Sequence, residues 1–282
     1  MNKVIITSDS TADLDYLFKE KNVPVISLEV LLGDRVGLDG EEITPEDIYE
    51  YYAKTKQTPK TSAIAPERYR DFFKKYRDEG YEIVHFTISA TMSACYNNAC
   101  AVAEELGGIY VVDSMNLSTG IGMQVLYALD LKEEGLSAKE IADKVNARRS
   151  KVQASFVVDT MSFLHKGGRC SSVAAIFATV LKIHPCIAVK NGTMGVRKKY
   201  MGSTSKAIMK YVKDTLATYP NPDKRYFFVT HSSVAPETVK AVKDEILAVH
   251  PDVDIIETVA GSTVTAHCGK GTLGILFYSD GE

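Results

Sequence analysis

Short apolar runs alternate with helix-forming segments through the first half of the chain. Strands are predicted at residues 4–7, 24–32, 83–88 and 109–112. One intervening helix begins at Thr44-Pro45, with a capping residue and a proline at the first helical position. Because regular alternation of strands and helices is typical of a largely parallel, twisted sheet, the pattern predicts an α/β domain.

The second half of the chain shows a more mixed order of strands and helices. The predicted elements are helices from Ser203 and Ala235 and strands at residues 226–230, 254–259 and 272–278. Asn191-Gly192 lies between two short extended runs, which is a strong signal for a β-hairpin. We therefore expect two α/β domains, residues 1–155 with a largely parallel sheet and residues 156–282 with mixed α/β structure, and a ligand-binding cleft between them.

Composition and charge fit an ordinary globular protein and exclude several functional classes. The 282 residues are 45% apolar and 24% charged, which excludes wholesale disorder. The formal net charge of −3 argues against non-specific nucleic-acid binding, because that activity needs a basic face. The five cysteines are odd in number and scattered, so we expect reduced thiols in the cytoplasm.

No segment of the sequence is expected to cross a membrane. The apolar run at the start of the chain is too short for a signal peptide. The longest apolar stretch, residues 173–189, is interrupted by Lys182, His184 and Pro185, which a spanning helix would not tolerate. We therefore expect at most transient contact with a membrane.

Four segments rich in hydroxyl groups or glycine lie where predicted strands end. They are residues 60–62, 89–96, 166–169 and 267–274. The chain contains no P-loop, no HExxH and no CxxC motif, and its histidines show no metal-ligand spacing. Neutral hydroxyl and N–H donors can hold an anionic or polar head group without reacting with it. The segments therefore indicate a binding protein with no catalytic residue, no metal and no cofactor.

Ser93 and Ala94 are predicted to lie at a helix N-terminus that follows the strand at residues 83–88. Ligands of open α/β sheets bind at such places. The Ser93 hydroxyl, the free backbone N–H groups near Ala94 and the positive end of the helix dipole would together form a cradle for a carboxylate. The alternative is that Ser93 is only the N-cap of the helix, and one side chain can do both.

Three further segments each allow a structural and a functional interpretation. Thr61 and Ser62 lie in a predicted loop between two helices, where serine and threonine are ordinary turn residues. His267 is either a donor to an anionic head group or a buried histidine bonded to a backbone carbonyl. Arg169 follows a short helix that a glycine would end, and it is either a contact to an anion or partner, or a solvated side chain.

A serine-dependent hydrolase acting on a lipid or a small ester is the main alternative. Ser93 and His267 would act with Asp9 or Asp113 as the third member, since the members of a triad need not be neighbours in sequence. However, Ser93 stands in Thr-Met-Ser-Ala-Cys, whereas a nucleophile elbow requires Gly-x-Ser-x-Gly. The hydrolase therefore ranks second to the binding protein.

Taken in order, six segments of the chain resemble the DegV family. They are residues 7–14, 60–62, 89–97, 112–114, 163–169 and 267–274. The resemblance extends through the whole chain and implies two α/β domains that bind a long-chain fatty acid between them. It also implies that the protein is the acyl-carrying subunit of a bacterial fatty acid kinase, which presents the fatty acid carboxylate to a separate ATP-dependent kinase protein.

The resemblance also assigns roles to particular residues. The residues that match fatty acid-binding positions are Thr61, Ser62, Ser93, Ala94 and His267. Thr61 and Ser93 would hold the carboxylate, and His267 would lie near the head group. Arg169 matches the basic residue of a Lys-Gly-Gly-Arg segment and is a possible contact to the head group or the partner. The chain departs from the family pattern at Ala94, Cys95, Cys170, His184 and Lys270. These departures leave the preferred acyl chain open.

Overall fold

The computed structural model describes residues 3–170, 172 and 183–281, so the apolar stretch at residues 173–189 lies partly outside the described residues. The strands are β1 Lys3–Asp9, β2 Val25–Ile26, β3 Glu29–Leu32, β4 Arg35–Leu38, β5 Lys60–Ser62, β6 Tyr81–Thr87, β7 Ile109–Asp113, β8 Val152–Val157, β9 Ile183–Lys190, β10 Thr193–Met201, β11 Phe227–Ser232, β12 Ile255–Val259 and β13 Thr272–Tyr278. The helices are α1 Asp15–Glu20, α2 Pro45–Thr55, α3 Pro66–Asp78, α4 Cys95–Leu106, α5 Thr119–Glu133, α6 Ala138–Arg148, α7 Ser162–Gly167, α8 Thr204–Thr218, α9 Pro236–Val249 and α10 Ser262–Cys268. Within this described part, no helix is long and apolar enough to span a bilayer.

The predicted parallel sheet is confirmed in the first half of the chain. Its four strands lie in the order β2-β1-β6-β7, and each neighbouring pair is parallel. Helices α3 and α4 cover one face through a cluster that includes Tyr69 and Phe73. Helices α5 and α6 cover the other face. Both faces are therefore buried, as expected when helices connect parallel strands.

A six-stranded mixed sheet forms the second half of the protein. Its strand order is β10-β9-β8-β13-β11-β12, and only β11 and β12 are parallel. Helices α8 and α9 pack on one face through a cluster that includes Tyr211, Phe227 and Phe277. The predicted hairpin joins β9 to β10, and the positive φ angles of Asn191 (50°) and Gly192 (78°) are typical of a type I′ turn.

Helix α5 lies between the two sheets. Its core cluster contains Ile6 and Val84 of the parallel sheet together with Phe228 and Leu276 of the mixed sheet. A helix that is apolar on all sides is stable only when it is buried on all sides. The chain therefore forms two α/β units that share α5. The domain boundary at residue 155 lies within β8 and stays a prediction.

Two predictions of local structure are wrong. The strand predicted at residues 24–32 is two strands, β2 and β3, in different sheets. The chain leaves the parallel sheet before Leu28, whose N–H donates to the Ser10 hydroxyl at 3.1 Å. Thr61 and Ser62 lie in β5, not in a loop, because their backbone pairs with β3 in a small sheet of order β4-β3-β5. This strand has only three residues, which is too short for an alternating pattern to reveal it in the sequence.

A buried histidine lies between the parallel sheet and α3. His85 of β6 is inaccessible to solvent, and the rings of Tyr69, Phe72 and Phe73 surround it. Its Nδ1 atom lies 2.9 Å from the Thr7 hydroxyl. Burial lowers the pKa of His85 to about 3, so the imidazole is neutral in the folded protein.

We expect His85→Leu to reduce the loss of stability in acid. The unfolded chain binds a proton here below the ordinary pKa of 6.5, whereas the folded protein binds it only near pH 3. The contribution of neutral His85 is therefore complete above pH 6.5 and is lost as the pH falls from there toward 3. In urea unfolding between about pH 6 and pH 4, the free energy of unfolding of the variant should fall less steeply, by about 1.4 kcal/mol per pH unit.

The matched control is Val84→Ala, which removes buried apolar volume from the same strand but no titrating group, so it should keep the wild-type slope. A wild-type slope in His85→Leu would contradict the prediction.

Candidate functional site

A cavity of about 250 Å³ lies between the two sheets. Apolar side chains of both halves form most of its wall, among them Ile88, Leu117, Phe156 and Leu276. The cavity is also lined by all six residues that the sequence identified, which are Thr61, Ser62, Ser93, Ala94, Arg169 and His267. The fold thus brings four segments that are distant in sequence to one cavity, whose wall is otherwise mainly apolar.

His267 and Thr61 are in direct contact at the cavity. His267 lies near the C-terminal end of α10, and its Nε2 atom is 2.9 Å from the Thr61 hydroxyl of β5. Its Nδ1 atom is buried and has no hydrogen-bond partner among the described residues. Burial, and then the positive charge of Arg169, lower the pKa of His267 to about 4. The imidazole is therefore a neutral group with one N–H to donate.

Ser93 lies one residue before the helix cap and is not the N-cap itself. Helix α4 begins at Cys95, and Ala94 is its N-cap. The Ser93 hydroxyl accepts from the Cys95 N–H at 3.3 Å and donates to the Cys95 thiol at 3.2 Å. The structural alternative for Ser93 is therefore correct in part, since its hydroxyl does bind a backbone N–H at the start of the helix. The same hydroxyl lines the cavity.

The Lys166–Arg169 segment brings α7 close to the histidine. The predicted helix end is confirmed, because Gly168 ends α7 with a φ of 69°, a conformation that favours glycine. A Cβ atom on Gly167 would lie 2.5 Å from His267 Nδ1, so only glycine allows this approach. Arg169 is exposed and donates to the backbone carbonyls of Met92 (3.3 Å) and Gly167 (2.8 Å). It therefore links α7 to the loop that contains Ser93.

The geometry does not support the hydrolase alternative. Both oxygens of the Asp9 carboxylate accept hydrogen bonds, from Thr11 and from the Ile88 N–H. The Asp113 carboxylate accepts from two backbone N–H groups of the neighbouring loops. Neither carboxylate orients His267, which contacts Thr61. A histidine with a pKa of about 4 is also a weak base at neutral pH.

Several hydroxyl groups of the cavity were not identified from the sequence. Ser118, Thr230 and Ser232 line it, and each is buried and hydrogen-bonded to another polar side chain. Ser118 lies four residues after the Val-Asp-Ser segment at residues 112–114, which resembles the family. Its closeness to that segment is the one sequence feature that could have indicated Ser118 as a cavity residue. Thr230 and Ser232 lie within a strand, where a buried hydroxyl leaves no pattern in the sequence.

The glycines at residues 269–274 match the pattern Gly-x-Gly-x-x-Gly. In dinucleotide-binding folds this pattern follows a strand and begins a helix. Here it follows α10 and begins β13, which is the reverse order. Cβ atoms at Gly269 and Gly271 would lie 2.6 Å and 2.8 Å from Phe163 and Asp159, so these glycines allow close packing. The pattern therefore indicates no nucleotide site. Across the described ranges, no group of histidine, cysteine, aspartate or glutamate residues is arranged to hold a metal ion.

Comparison with known proteins gives matches over nearly the whole chain. A family model described as "Uncharacterised protein, DegV family" matches residues 3–280. A DegV domain-containing protein of Clostridium acetobutylicum is 28% identical over 282 residues, covering 98% of this chain and 99% of the relative. A Thermotoga maritima protein named "Fatty acid-binding protein" is 29% identical over 280 residues, covering 96% of each. A solved structure described as "Fatty Acid Binding of a DegV family Protein from Thermus thermophilus" superposes with a TM-score of 0.90 at 28% identity, covering 99% of both chains.

Proposed function

Because the chain belongs to the DegV family, we propose that it binds a long-chain fatty acid between its two α/β domains and presents the carboxylate to a separate ATP-dependent kinase. One observation supports the binding role most directly. Thr61, Ser93 and His267 come from three distant segments, and their polar groups line one mainly apolar cavity. A fatty acid has the same division between one polar group and a long apolar chain. The similar proteins of Thermotoga maritima and Thermus thermophilus are described as binding fatty acids.

The energetics favour tight binding of such a ligand. Transfer of about fifteen methylene groups from water to an apolar cavity, at about 0.8 kcal/mol each, gives roughly 12 kcal/mol. The loss of translational and rotational freedom on association offsets about 4 kcal/mol or more of this gain. The acyl chain therefore supplies most of the affinity, and the hydroxyl and N–H donors orient the carboxylate.

The proposed partner reaction requires no strong base on this chain. A fatty acid carboxyl group is already ionised near neutral pH, so it can attack a phosphoryl group without giving up a proton. Neutral donors such as the Ser93 hydroxyl and the His267 N–H suit this task, because they bind negative charge and remain unreactive. We propose that Arg169, which is exposed and lines the same cavity, contacts the partner or the growing charge. The proposed location is the cytoplasm, where free thiols such as the five cysteines stay reduced.

The protein is expected to emerge from a bacterial host with a lipid already bound. The acyl chain leaves water for an apolar cavity, so release during purification should be slow. Mass spectrometry of the denatured protein should detect a saturated or monounsaturated long-chain acid. Protein that is free of lipid and also rejects added fatty acid would contradict the proposal and restore the hydrolase alternative, which predicts turnover of an ester.

Ser93→Ala and Thr61→Ala should each weaken binding of a fatty acid by about 1–3 kcal/mol, the range for a lost bond to a charged group. A fatty alcohol of equal length should lose much less affinity, because it has no carboxylate. Calorimetric titration with palmitate and hexadecanol measures both effects. Thr91→Ala is the control, because Thr91 lies in the same loop but bonds to the Gly192 carbonyl outside the cavity wall. Equal losses for acid and alcohol would show that these hydroxyl groups do not contact the head group.

Acyl phosphate should form only when both this protein and its kinase are present. We would measure the product with kinase alone, with this protein alone, and with both, and then repeat the complete reaction with Arg169→Ala. A lower rate is expected for Arg169→Ala, because the variant lacks a positive charge beside the cavity. Arg70→Ala removes an exposed arginine of α3 that pairs with Glu105, and it should have no effect. Product from this protein alone would overturn the carrier role, and an unchanged rate for Arg169→Ala would remove that residue from the site.

A further inference from the structure

Two buried carboxylates of the first half of the chain bind the beginning of α10. Asp13 follows β1, and Asp39 follows β4; their exposed fractions are only 5% and 4%. Asp13 Oδ1 accepts from the Gly261 N–H at 2.9 Å, and Asp39 Oδ1 accepts from the Ser262 N–H at 2.8 Å. These backbone groups are 248 and 223 residues away in sequence. The bonds therefore link the two halves of the protein at one helix end.

The second oxygen of each carboxylate binds another buried hydroxyl group. Asp13 Oδ2 accepts from Ser118 at 2.5 Å, and Asp39 Oδ2 accepts from Ser10 at 2.8 Å. Ser118 itself lines the cavity. Burial raises the pKa of Asp39, and the hydrogen bonds that it accepts oppose this effect. A buried carboxylate is costly unless its oxygens are satisfied, and here all four oxygens have donors.

Helix α10 contains the histidine of the cavity. His267 is five residues after Ser262, which corresponds to about 7.5 Å along a helix. The helix has seven residues, and isolated helices shorter than about 12 residues are marginal in water, so contacts with the rest of the protein must hold it. Ala266 contributes to this by packing in one buried apolar cluster with Ile43, Ile48 and Phe163. Such contacts tolerate sliding of the helix, whereas hydrogen bonds are directional and set its position along the axis.

We propose that Asp13 and Asp39 are positioning residues for the head-group site, which they act on by holding α10 so that His267 stays against Thr61. This inference rests on the proposed function, because it gives Asp13, in the segment at residues 7–14, an indirect role in fatty acid recognition. The route from carboxylate to ligand is short, because one helix connects Ser262 to His267 and one hydrogen bond connects His267 to Thr61. Gly261 has no room for a side chain here, since a Cβ atom would lie 2.9 Å from Asp13 Oδ1.

A double-mutant cycle separates positioning from a general loss of stability. Asp39→Ala should displace His267 and so weaken binding of palmitate by about tenfold or more. This is the loss expected when His267 no longer contacts the charged carboxylate of the ligand. Asp39→Asn should retain most of the affinity, because its amide oxygen can still accept from the Ser262 N–H. In a His267→Ala background, Asp39→Ala should add less than about a twofold loss, since residues that act through one another are not additive. Equal losses in both backgrounds would overturn the proposal.

A second measurement needs no lipid. In NMR spectra, the signals of the His267 ring, assigned by their absence in His267→Ala, should shift in Asp13→Ala and Asp39→Ala. Gly261→Ala should shift these signals in the same direction, because its Cβ atom displaces the start of α10. This variant keeps both buried carboxylates, so it tests the proposal even where Asp13→Ala and Asp39→Ala do not fold. Asp223→Ala is the matched control, because this largely buried carboxylate binds Arg148 away from the cavity. Unchanged His267 signals in the folded variants would overturn the proposal. Protein that binds no palmitate, but shows these shifts, would instead contradict the proposed function alone.

Discussion

The buried loops at the junction of the two halves contain backbone N–H groups that need hydrogen-bond acceptors. Four aspartate carboxylates act as these acceptors. Asp9, Asp13, Asp39 and Asp113 each lie at or shortly after the end of a strand and accept from backbone N–H groups of another segment or of their own loop. A buried N–H group without a partner is costly, and loops cannot use the regular bonds of a sheet. These carboxylates therefore satisfy backbone N–H groups that burial of the loops removes from water.

This use of the acidic groups also determines the chemistry of the cavity. Hydrogen bonds to loops occupy the carboxylates, and burial raises the pKa of Asp9 to about 6. His267 is neutral because burial lowers its pKa to about 4. Among the described residues, the cavity therefore presents hydroxyl and N–H donors with one exposed arginine at its wall. Such a surface can bind an anion through neutral hydrogen-bond donors and the positive charge of Arg169.

The shared position of α5 explains why the cavity lies where it does. The parallel sheet and the mixed sheet both pack on this helix, and polar groups follow the strands that end beside it. The carboxyl ends of parallel strands are the usual ligand sites of α/β folds, because loops and helix ends meet there. In this protein the second unit supplies the opposite wall, including Phe156 and Leu276. The cavity thus lies between two units that share one buried helix and one apolar core cluster.

The sequence by itself determined most of the local elements, because their signals lie within a few residues. The helix start at Thr44-Pro45, the hairpin at Asn191 and the helix end at Gly168 follow directly from residue type and spacing. The alternation of strands and helices in the sequence indicated the α/β fold, and the order of the polar segments indicated the family.

Only the tertiary structure decided which of these segments meet and what their side chains do. The strand character of Thr61 depends on pairing with β3, and the neutral state of His267 depends on burial by α7 and β5. The same holds for Asp39, whose contact with Ser262 joins residues 223 positions apart. Backbone propensity acts over one or two helical turns, whereas pairing, burial and desolvation depend on neighbours that only the folded chain brings together.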